Sequence, residues 1–132
     1  MTLILKKGSL LIPSGPCNHL HIVCNDPVFY PRANANCSLL VNISTVNELS
    51  GEYDNTCLLN SGEHPFVKHL SYVAYERADI FGENTLLRGI ADGTFQTHDP
   101  INDAVFLKFI DGFSVSGHIT PKIKKFFDTF CK

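Results

Sequence analysis

"CSLLVNIST", residues 37–45, decides the fold of this chain. It is apolar, rich in β-branched residues and bounded by turn-forming residues, which reads as a strand. "GSLLI" (8–12) and "HLHIVC" (19–24) before it have the same character. The separators "PSGPCN" and "NDPVFYPRANAN" carry the proline, glycine and asparagine of irregular loops. After it, "TCLLN", "LSYVAYE" and "ADIF" continue the rhythm to residue 81. Parallel strands need crossovers of about a dozen residues, usually helical, and none fits between these runs. The first part is therefore a mostly antiparallel sheet of five to seven strands, and curling it into a small closed or half-closed barrel removes its edges.

The period changes in the last third. "HDPINDAVFLKFIDGF" offers Asp99 as N-cap, Pro100 as first helical residue and Gly112 as terminator. "ITPKIKKFFDTF" repeats the start with Thr120 and Pro121. Ile123, Phe126, Phe127 and Phe130 then form one apolar face opposite the lysines. The expectation is a mainly β single domain over 1–132, with a barrel at about 6–90 and a helical part at about 99–131. Ten phenylalanines without a tryptophan are a large apolar supply for so small a barrel, and part of it is expected at a dimer or partner contact.

Composition narrows the class. Apolar residues at 44% and charged residues at 18% describe an ordered globular chain. No run reaches the roughly 18 apolar residues of a membrane span, and "MTLILKKGS" is too short a run for a signal peptide, so the reading is cytoplasmic with no membrane partner. Cys17, Cys24, Cys37, Cys57 and Cys131 are odd in number and lack a CxxC pair, which argues against a disulfide framework. The net charge is −2, and most acidic residues lie in 47–103, with mildly basic ends. A nucleic-acid partner would need a local basic patch.

"GEHPFVKHLSYVAY" (62–75) holds the chemistry-bearing cluster. Strand alternation sets His19 and His21 opposite Leu20, Ile22 and Cys24, and His69 and Ser71 opposite Leu70 and Tyr72. His64 precedes Pro65, which holds its backbone extended. Metal-free RNA cleavage needs a base for the 2′-hydroxyl, an acid for the leaving oxygen and donors for the phosphoryl oxygens. His64, His19 and His69 are the candidates for acid and base, with His64 foremost. Asn18, Ser44, Thr45, Lys68 and Ser71 are the candidates to hold substrate. Asp54, Cys57, His64 and His69 offer zinc-type ligands, but their spacing fits no standard zinc pattern, so neither metal nor cofactor is expected. Cys17 near His19 is adjacency alone. "HLSY" (69–72) and "HITP" (118–121) each fit the His-apolar-Ser/Thr pattern of two-histidine phosphoesterases, which are larger duplicated folds.

The opening "KKGSLLIPSGPCNHLHIVCNDP" and the later "SLLVNIST" resemble the PemK/MazF group of toxin endoribonucleases over about residues 6–81. "VCNDP" (23–27) is similar to that group's turn, and "VNIST" (41–45) to its hydroxyl-bearing strand end. The resemblance implies an SH3-like barrel with a C-terminal helix, a homodimer, single-stranded RNA as substrate and a cognate antitoxin protein as partner. The group's first loop brings an arginine; here "GPCNHLHIV" has none, and Asn18 and His19 stand in that place. The alternative is a non-catalytic SH3-like barrel that binds a protein or nucleic acid.

Overall fold

The computed structural model describes residues 4–47, 49 and 52–132. It is mainly β, a curled antiparallel half-barrel with three helices. The strands are β1 (Ser9–Ser14), β2 (Cys17–Val23), β3 (Val28–Tyr30), β4 (Ala35–Thr45), β5 (Leu58–Leu59), β6 (Ser71–Gly82) and β7 (Gln96–His98). The helices are α1 (Glu83–Ala91), α2 (Asp103–Val115) and α3 (Pro121–Phe130). The sheet runs β5-β6-β4-β2-β1-β7, and β3 adds to β4 off that path. Every pairing is antiparallel. The path ends in the short strands β5 and β7.

Alternation along β4 builds two cores. Leu39, Val41 and Ile43 join Leu20, Ile22, Val73 and Tyr75 beneath Phe109 and Phe113 of α2 and Phe126 and Phe127 of α3. Leu40 points the other way, with Leu10, Ile12, Val23 and Leu86 of α1. The sheet is thus covered on both faces, which explains why "LLV" (39–41) is apolar without interruption.

Several boundaries differ from those the sequence predicts. Helix α1 lies within the stretch expected to be barrel, and β7 returns after it to pair with β1. Helix α2 begins three residues beyond the Pro100 start, because Asn102 is the N-cap, accepting from the Val105 N–H at 2.9 Å. Residues 99–101 lie outside both helix and strand instead, and Ile101 N–H donates to the Lys7 carbonyl at 2.9 Å. Gly112 does not end α2. It lies inside the helix where the Tyr75 ring packs so closely that a Cβ would collide with it, and Tyr75 donates its hydroxyl proton to the Phe109 carbonyl at 2.8 Å. Helix α3 starts with Thr120 and Pro121 as expected, burying Ile123, Phe126 and Phe127.

Candidate functional site: an open basic groove

Three strand ends and one loop meet at one end of the sheet. The start of β2 brings Asn18 and His19, the end of β4 brings Ser44 and Thr45, and the start of β6 brings Ser71 and Tyr72. Register places them together. One step beyond the Leu20–Ile43 pair, His19 and Ser44 stand on the opposite sheet face, and Ser44 pairs with Tyr72. The loop before β6 adds Phe66, Lys68 and His69, closing an open groove of about 670 Å³.

That loop is stiffened from within. Gly62 takes φ +93°, a left-handed conformation that suits glycine, and its N–H donates to the Val67 carbonyl at 3.0 Å. Asn60 N–H donates to Glu63 Oε1 at 2.8 Å, and Val67 is buried in the main core. Lys68 and His69 follow directly, exposed over the groove.

Sequence reasoning missed Arg77, which lines the same groove. The β4–β6 ladder slips between Leu40 and Asn42: Leu40 faces Asp79 while Asn42 faces Ala74. The extra residues of β6 bulge out, and bulges re-aim side chains. Arg77 is exposed there. The first loop lacks an arginine, and the groove gains one from a distant strand.

Its electrostatics follow from what is absent as well as what is present. Lys68 and Arg77 line it, no carboxylate does, and neither cation has an ion-pair partner among the described residues. In a chain of net charge −2 this is the local basic patch that an anionic ligand requires. Two polar atoms in its wall, His19 Nδ1 and Ser44 Oγ, are buried without a hydrogen-bond partner in the protein. Such groups carry an unmet desolvation cost. The Ser71 hydroxyl is committed, donating to the His69 carbonyl at 2.9 Å. It positions His69.

His64 is placed elsewhere. It is 1% exposed and does not line the groove. Its Nε2–H donates to the Asp99 carbonyl at 2.6 Å, and its Nδ1 accepts from Phe66 N–H at 3.0 Å. Ser9 Oγ donates to the same carbonyl. The two bonds require the neutral ring, and burial pushes its pKa down, partly offset by the Asp99 carbonyl. His98 packs against it with ring centroids 5.1 Å apart. His64 therefore ties the loop to the link between β7 and α2. His21 is also apart from the groove: its Nδ1–H donates to the His19 carbonyl at 2.9 Å, and burial lowers its pKa.

The zinc-type candidates do not converge. Asp54 accepts from Thr56 Oγ1 and Ser116 Oγ, both at 2.6 Å, and hydrogen bonds outweigh burial to lower its pKa. Among the described residues, no three His, Cys, Asp or Glu side chains group closely enough to hold a metal. All five cysteines are free; Cys24, Cys37 and Cys57 are buried, and burial raises each thiol. Cys17, exposed, lines the groove rim. No helix among the described residues is long and apolar enough to cross a membrane.

No protein family, curated protein or solved structure matches this chain.

Proposed function

We propose that the groove cleaves single-stranded RNA without a metal, in the manner of the toxin endoribonucleases that the strand sequences resemble. The observation that carries this reading is convergence: four separate segments bring His19, Ser44, His69, Lys68 and Arg77 to one groove. One imidazole, of His19 or His69, accepts the 2′-hydroxyl proton as that oxygen bonds to the adjacent phosphorus. The other protonates the departing 5′-oxygen as its bond to phosphorus breaks. The products are a 2′,3′-cyclic phosphate and a free 5′-hydroxyl. Lys68 and Arg77 neutralise the phosphoryl oxygens, where charge grows in the transition state. Thr45 and Asn18, exposed at the rim, donate to the backbone of the substrate. Arg77 takes the place in the chemistry that the resembled group fills from its first loop.

Purified protein incubated with end-labelled single-stranded RNA in EDTA tests this. Fragments ending in cyclic phosphate, lost in His19→Ala and in Arg77→Ala, are expected. RNA retained on the protein but uncut would sink the catalytic reading and leave the binding module. Cleavage abolished by EDTA would make the imidazoles insufficient.

A further inference from the structure

A second feature lies at the other end of β4. The turn after β3 packs against α3, and Tyr30, Phe126 and Phe130 line an apolar notch of about 190 Å³. Asn34, with φ +50°, and the Ala33 N–H to Tyr30 carbonyl bond at 3.1 Å fold this turn tightly. Arg32, Lys122 and Lys125 stand around the rim, and all three are exposed. None of them pairs with a carboxylate among the described residues. The contrast is with Lys124 and Lys132 of the same region, which both reach Asp128, at 3.4 and 3.2 Å. Three uncompensated cations around an apolar hollow, in a chain of net negative charge, form a surface complementary to acid flanking an apolar side chain.

We infer that this notch docks an acidic peptide segment of a partner protein, with one large apolar side chain seated against the half-buried rings of Tyr30 and Phe130. Ring geometry favours a side chain over a nucleobase. Tyr30 meets Phe126 edge-on at 5.0 Å and 84°, and Phe130 at 6.2 Å and 86°. Phe126 and Phe130 are tilted against each other at 4.8 Å. The three rings cross rather than lie parallel, so they share no common flat face on which a base could stack. The notch flanks the start of β4 and the groove its end, roughly 30 Å apart along the strand at about 3.3 Å per residue. The partner therefore binds without entering the groove.

The test uses the whole chain and a fluorescein-labelled peptide of glutamate and serine with one central phenylalanine, read by fluorescence polarisation. Binding is expected, weakened about ten-fold by changing the peptide's phenylalanine to serine and about ten-fold by Lys122→Glu combined with Lys125→Glu. Both substitutions are at exposed positions, and an unchanged circular dichroism spectrum shows that the variant is folded. Amide shifts in the notch, with groove amides unmoved, complete the expected result. No binding, equal binding of the serine peptide, or indifference to the two charge reversals would each overturn the inference. So would preference for oligoadenylate over the peptide, or self-association of the chain abolished by the same reversals.

Discussion

The stretch "GEHPFVKHLSYVAY" delivers its two histidines to opposite fates. His64 is buried, with both ring nitrogens spent on the protein, whereas His69, five residues on, is exposed over a basic groove. Residue type and sequence neighbourhood are shared; what differs is whether the protein uses up the ring's hydrogen-bonding capacity. A ring that must donate at Nε2 and accept at Nδ1 cannot change protonation without breaking the knot. The His69 ring makes no such bonds to the protein among the described residues.

The widest separation between the two regions should come from activity. His19→Ala and His69→Ala should each lower RNA cleavage by about 10²–10⁴-fold, the usual worth of a general acid or base, with stability moved by less than about 1 kcal/mol. Initial rates beside urea denaturation check both halves. Equal losses of stability from the groove and knot variants would erase the distinction.

His64→Ala should do the reverse. Leaving the Asp99 carbonyl and Phe66 N–H short of a partner, together with the void, should cost about 2–4 kcal/mol in urea denaturation. Activity per folded molecule should fall less than in His19→Ala. A stable, inactive His64→Ala would return that ring to the chemistry.

Arg77→Ala should weaken binding of uncleaved RNA about five- to ten-fold, near the strength of one charge-assisted contact, and lower the salt dependence. Filter binding across a salt series measures it. An unchanged slope would remove Arg77 from the substrate site.

The smallest effect is the pH response. His64 is held below its ordinary value near 6.5, so the unfolded chain takes the proton more readily. Stability contributed by the neutral ring is therefore intact above about 6.5 and lost progressively as the pH falls below it. His21 is shifted the same way, so His64→Gln should make the fall shallower without removing it. Melting temperatures between neutral and mildly acidic pH follow the change, and an undiminished slope in the variant would mean that His64 does not contribute.

Much of this was legible in local pattern. The apolar runs located β1, β2, β4, β5 and β6, and Thr120-Pro121 with its phenylalanine stripe gave α3 to the residue, whereas β3 lies in a stretch that reads as irregular loop and β7 had no apolar run to mark it. The errors fell where distant contacts overrode local signals. Asp99 is a good N-cap by type, yet Asn102 caps α2 because the 99–101 segment is tied by His64 and Lys7. Gly112 looks like a terminator, but its missing Cβ makes room for Tyr75. Helix α1 is short, has Gly82 as an N-cap without a side-chain bond and follows a strand directly, so no start signal marks it. Of the residues proposed for the site, His19, His69, Asn18, Ser44, Thr45, Lys68 and Ser71 line the groove, as strand-end placement suggested. His64 was misleading because Pro65 fixes its backbone without saying where the ring is received. Arg77 was invisible because a bulge is a property of two strands in register, not of either sequence alone.

The knot also has an order in time. Every residue that lines the groove lies at or before position 77, but the carbonyl that receives His64 belongs to Asp99. A ribosome that has released only the first eighty or so residues has made the whole groove inventory but not the Asp99 anchor of the loop that carries Lys68 and His69. The segment that leads into α2 thus adds the last tie to a loop whose groove-lining side chains are already made.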